Sequence, residues 1–112
     1  MDEQIKTWLF DILQSINEIE TYFTTTPKKF EIYVKDNKTR RAIERNLEII
    51  GEAVNRITKV DPAFSLTNAQ KIIGTRNRIV HGYDSISNEM IWGIVINHLP
   101  RLKLEIEKAL KE

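Results

Sequence analysis

Ile43-Glu44-Arg45-Asn46-Leu47-Glu48-Ile49-Ile50-Gly51-Glu52-Ala53-Val54-Asn55-Arg56-Ile57 carries the periodicity of a long amphipathic helix. Ile43, Leu47, Ile50, Val54 and Ile57 step by four, three, four and three, so they fall on one stripe of a 3.6-residue turn. Ala42, Ile49, Ala53 and Val60 widen that stripe. The spacing predicts a helix from about Lys38 to Val60. Asp61-Pro62 ends it, because a residue before proline is held out of the helical region.

Toward the N-terminus the same period recurs. Ile5, Leu9, Ile12, Ile16, Ile19 and Phe23 step by four, three, four, three and four, and the stripe fades at Thr24-Thr25-Thr26-Pro27. Pro27 suits the first turn of a following helix. Phe30, Ile32, Tyr33 and Val34 make a short apolar patch, read as helical, with a bend at Asp36-Asn37. Toward the C-terminus, residues Pro62 to Leu66 read as a loop. Thr67 or Asn68 is placed to cap a third main helix running to about Val80, and Gly82 stands where that helix stops. Ser85 or Ser87 caps a last helix bearing Ile91, Ile94, Val95, Leu99, Leu102, Ile106 and Leu110, and Pro100 inside it predicts a kink. No strand-like alternation or internal repeat is present. The expected fold is all-α: an antiparallel bundle of four main helices in a single domain over residues 1–112, with room for a short extra helix near residues 28 to 35.

A chain of 112 residues buries roughly 65% of its unfolded surface, enough for one modest core. It has no cysteine, which excludes disulfides and thiolate metal sites. Trp8-Leu9-Phe10 is too short and too acidic at its flanks for a secretory signal, and no apolar run approaches a membrane span, so a cytoplasmic protein is expected. Charge is uneven. Residues 1 to 26 sum to −4, residues 27 to 60 to +4 and residues 61 to 112 to +1, for the net +1. The electropositive part, Lys28, Lys29, Lys35, Lys38, Arg40, Arg41 and Arg45, can guide a phosphate backbone or a partner; a solvated helix face accounts for the same residues.

The chemistry concentrates in Arg76-Asn77-Arg78-Ile79-Val80-His81-Gly82-Tyr83. Two histidines without cysteine leave zinc short of its ligands, so neither metal nor cofactor is expected. His98 lies on the apolar stripe of the last helix and reads as a structural, hydrogen-bonded histidine. His81 shares a helical face with Asn77 and Arg78, whereas Arg76 lies roughly 140° round from it. Arg76 offers a permanently charged fork for phosphate oxygens, His81 moves a proton near neutral pH, and Asn77 can orient the ring. Together they suffice for cleavage of RNA by its own 2′-hydroxyl. One histidine is thin for acid and base together, and a two-fold dimer supplies a second. The same segment also reads as a plain helix end, its cations favoured by the dipole.

This segment resembles the R-x4–6-H signature of the HEPN superfamily, and His-Gly-Tyr resembles its HepT branch. Arg41 to Ala53 and Trp92 are similar to that branch over nearly the whole chain. The resemblance implies a ribonuclease toxin with an MntA-like nucleotidyltransferase antitoxin as partner, acting as a homodimer with the motifs facing a shared cleft. Arg76 and His81 then match the catalytic pair, Asn77 and Arg78 support them, and Tyr83 matches the tyrosine that receives AMP. Glu52 and Asn55 can face the motif. Trp8, Tyr22, Tyr33 and Trp92 read as core or dimer-interface aromatics, with Leu13 beside them. A catalytically silent nucleotide-binding module that partners a nucleotidyltransferase is the alternative.

Overall fold

The computed structural model describes residues 1–112, with the side chain of Tyr83 outside the described set. Among the described residues it is all helical, without strands. Helix α1 spans Glu3–Tyr22, α2 Phe30–Lys35, α3 Asn37–Val60, α4 Ala69–His81, α5 Asn88–Gly93 and α6 Leu99–Lys111.

Each long helix forms where its stripe and its caps agree. Asp2 caps α1 by accepting from the Gln4 and Ile5 amides. Ile5, Leu9, Ile12, Ile16 and Ile19 are all buried. Asp36 ends α2 and caps α3, its carboxylate accepting from the Thr39 amide at 3.0 Å and the Thr39 hydroxyl at 2.7 Å. Those two bonds to the ionised form hold the Asp36 carboxyl below its ordinary pKa. The expected bend is therefore a shared cap. All five residues of the α3 stripe are buried, whereas Val60, expected to widen it, is exposed. Pro27 is not at the first turn of α2, which starts at Phe30 after Lys29.

Glu18 and Tyr22 of α1 meet Asn46 of α3. The Tyr22 hydroxyl donates to Asn46 Oδ1 at 2.6 Å, and Asn46 Nδ2 donates to Glu18 at 2.8 Å. Trp8 and Asp11, earlier in α1, line the same cleft as Glu52 and Arg56, later in α3. The two helices thus run antiparallel. Helix α6 also opposes α1, with Lys103 donating to Glu20 at 2.8 Å, while Met1 and Lys6 lie beside Ala109 and Leu110. Tyr33 is buried under Trp92, ring centroids 5.0 Å apart, and Phe30 and Phe23 complete the cluster. That cluster is what the short α2 contributes to the core.

Ser87, not Ser85, caps α5, accepting from the Met90 amide. The expected distortion at Pro100 is a π turn over Ile94–His98, joining α5 to α6, with the Leu99 amide reaching Ile94. Proline has no N–H for the carbonyl four residues back, and a wide turn just upstream absorbs the misfit.

Neither residue expected to cap α4 does so with its side chain. Asn68 holds the N-cap position at φ 62°, in the left-handed region that asparagine tolerates. Its amide instead meets His98 Nδ1 at 3.0 Å, and the Thr67 amide donates to Glu105 at 3.0 Å. His98 is half-buried and hydrogen-bonded, as a structural histidine should be. Burial, then the nearby Lys71 charge, holds its pKa below the ordinary value. The unfolded chain takes up a proton that the folded chain resists. Stability is therefore full above about pH 6.5 and declines as pH falls toward the folded pKa. Melting temperature should drop more steeply from pH 7 to pH 5 in the wild type than in His98→Gln. Parallel profiles would rule this out.

Candidate functional site

Helices α3 and α4 cross at Gly51. A Cβ built there would lie 2.3 Å from Arg76 Cβ and 2.8 Å from its Cγ, with the Ile72 carbonyl at 3.3 Å. Only glycine lets α4 come this close, and the approach sets the Arg76 stem directly on α3. One residue further along α3, Glu52 takes the guanidinium: Arg76 Nη2 stands 2.7 Å from Glu52 Oε2. Arg76 Nη1 donates to Asn77 Oδ1 at 3.0 Å. The Arg76 side chain is only 23% exposed, and its buried Nε has no hydrogen-bond partner among the described residues. Glu52 holds a second arginine as well, Arg56 Nε at 3.1 Å from Oε1.

This group opens on a cleft of about 520 Å³ between α1, α3 and α4. Trp8 from α1, Ile49 and Ala53 from α3 and Val80 from α4 supply its apolar lining, and Arg45, Arg56 and Arg76 its donors. A charged fork at the edge of a partly apolar cleft is suited to an anion attached to a flat ring.

The structure brings some of the sequence-read residues together and leaves others apart. Arg76, Asn77 and Glu52 form one connected group. His81 is the last residue of α4, exposed, and not among the residues lining the cleft. Arg78 faces away, its Nη1 3.2 Å from Met90 Sδ. Asn55 does not line the cleft. The assignment of Tyr83 as an AMP acceptor concerns a side chain outside the described residues. Gly82 ends α4 at φ −140°, so its place there does not depend on the left-handed region.

The basic stretch divides. Arg40 is structural, donating to the Val34 carbonyl at 2.9 Å where α2 ends. Lys28 lies over the Phe23 ring at 5.5 Å. Lys29, Lys35, Lys38 and Arg41 are exposed, and Arg45 reaches the cleft. The four aromatics Trp8, Tyr22, Tyr33 and Trp92 all belong to the core packing, and Trp8 also lines the cleft. The sequence reading missed Arg56. Its signal was Glu52 four residues before it, a spacing that puts acid and base on one helical face. The need for Gly51 had no local signal, because it lies in another helix.

Comparison with known proteins adds to this geometry. The family described as ribonuclease HepT-like matches residues 12–109. The chain is 32% identical to "Putative RNase MJ0127" of Methanocaldococcus jannaschii, over 98% of this chain and 90% of that one. It is 31% identical to "Probable ribonuclease HepT" of Thermococcus cleftensis, over 99% of this chain and 100% of that one. No solved structure matches.

Proposed function

This chain belongs to the ribonuclease HepT-like family, and we propose that it is the RNA-cleaving toxin of a toxin–antitoxin pair. The observation that carries the reading is Arg76, fixed by Glu52 at 2.7 Å on the edge of an open cleft. The guanidinium there grips a phosphodiester and stabilises the charge that builds on it. The RNA 2′-hydroxyl attacks its own phosphorus, the 5′-oxygen leaves, and a cyclic phosphate remains. His81 takes the proton from the hydroxyl, and the second chain's copy of the motif in a homodimer returns one to the leaving oxygen. No step in this scheme calls for a metal ion.

The partner in this reading is an MntA-like nucleotidyltransferase. It joins AMP to the Tyr83 oxygen by attack on the α-phosphorus of ATP, with pyrophosphate leaving. A bulky anion beside the cleft repels RNA and silences the toxin. No described helix is long and apolar enough to cross a membrane, and the reading places the reaction in the cytoplasm. Asn77 and Arg78 act in support.

Purified protein, made without the nucleotidyltransferase, is expected to cut total RNA or transfer RNA in EDTA, leaving 2′,3′-cyclic phosphate and 5′-hydroxyl ends. Intact RNA, with a protein mass showing no added AMP, would leave the silent nucleotide-binding module as the better account.

A further inference from the structure

The cleft holds three arginines, Arg45, Arg56 and Arg76, against three acids, Asp11, Glu48 and Glu52. Its formal charge balances, so attraction of RNA by a bare cationic groove does not describe it. The pairs inside it are unequal. Arg45 meets Glu48 at 3.4 Å with its side chain 73% exposed, a loose surface pair. Glu52 instead divides its two oxygens between two guanidiniums, Oε1 to Arg56 at 3.1 Å and Oε2 to Arg76 at 2.7 Å. Arg56 comes from α3 and Arg76 from α4. A carboxylate held by arginines from two helices stands where two non-bridging phosphate oxygens would be held.

We propose that Arg56 and Arg76 form a two-arginine phosphate subsite, and that Glu52 is its resident anion, displaced when a phosphodiester of single-stranded RNA enters. The RNA identity of the anion rests on the ribonuclease reading; the subsite itself rests on the two contacts. A phosphodiester and a carboxylate each carry one negative charge, so the exchange leaves the two arginines equally compensated. Glu52 is one-third exposed, so its released carboxylate turns into water without a burial penalty of its own. Arg56 is half-exposed, and its guanidinium already points at the shared position. Glu52 thus holds the arginines in place in the empty site and competes with RNA for them.

The test is binding of a fluorescein-labelled single-stranded RNA octamer in a His81→Ala background, where bound RNA is not cut. Glu52→Gln is expected to tighten binding about 5- to 10-fold, the scale of one charge-assisted contact. Glu48→Gln removes an equal charge from the same cleft and should tighten it less than about 2-fold, which isolates the competition from the general field. Arg56→Ala should weaken binding about 5- to 10-fold and reduce the logarithmic salt slope by about 0.7. Arg56→Gln repeats that measurement without touching the Glu52–Arg76 contact. Equal effects of Glu52→Gln and Glu48→Gln, weaker binding by Glu52→Gln, no effect of either Arg56 variant, or no measurable binding would each overturn the subsite. The two readings fail separately. Binding shifts with a wild type that cuts nothing would sink the nuclease and keep the subsite. Cleavage without the shifts would do the reverse.

Discussion

Arg76→Ala and His81→Ala are each expected to lower RNA cleavage about 1,000-fold, within the ranges for losing a charge-stabilising donor or a general acid–base. The two should differ in every other respect. The His81 side chain is exposed at the end of α4, so its removal should leave the melting temperature almost unchanged. Arg76 is three-quarters buried, and its loss leaves Glu52 with Arg56 alone. Arg76→Ala should therefore also destabilise the fold. Arg76→Lys separates the effects. It keeps the charge and the stem over Gly51 but not the planar fork. Melting temperature should return toward the wild type while cleavage stays at least about tenfold down, since a point charge replaces a bidentate donor. Single-turnover cleavage and thermal melts on the same preparations check this. A His81→Ala protein that cuts at the wild-type rate would remove His81 from the chemistry.

Gly51→Ala carries the second large effect. On an isolated helix this change gains about 1 kcal/mol. Here the new methyl would stand 2.3 Å from Arg76 Cβ, well inside van der Waals contact, and both atoms are fixed to backbone. The helices must separate, which disturbs the core to which Ile50 of α3 and Ile72 of α4 both belong. Overpacking of this kind costs about 1–3 kcal/mol. Set against the helix gain, this leaves a net loss of up to about 2 kcal/mol, a fall of up to about 8 °C in a domain of this size. Cleavage should fall too, because Arg76 moves away from its position opposite Arg56 at the edge of the cleft. The contact is with Cβ, so Arg76→Ala does not relieve it but Arg76→Gly does. In a double-mutant cycle, Gly51→Ala should cost less in the Arg76→Gly background than alone. Additive losses would mean that the crossing at Gly51 is not what fixes the helices.

Much of this molecule is written in its periodicity. The α3 stripe appears in the fold with every main position buried and the α1 stripe with all but Phe23, which is half-buried just past the helix end, and the boundaries of α3 follow from Asp36 and Asp61-Pro62. The caps were less legible. Asn68 has the right chemistry for an N-cap but spends its amide on His98, thirty residues away. Thr67 likewise gives its hydroxyl to Glu105. A side chain with several partners in reach is decided by which one the fold delivers, and short-range rules do not contain that information. Val60 has the right period but reaches past the end of the core into solvent.

The sequence by itself determined that the chain is all helical, which faces the helices bury, and that Arg76, Asn77 and His81 lie on one segment. These follow from local steric and hydrophobic periods, which act within a few residues. Only the tertiary structure decided that Gly51 admits Arg76, that Glu52 and Arg56 surround it, and that His81 stands outside the cleft. The physical reason is distance along the chain. Charge pairing and close approach depend on separations in space of a few ångströms, and the packing of α4 on α3 creates them between residues some twenty-five positions apart.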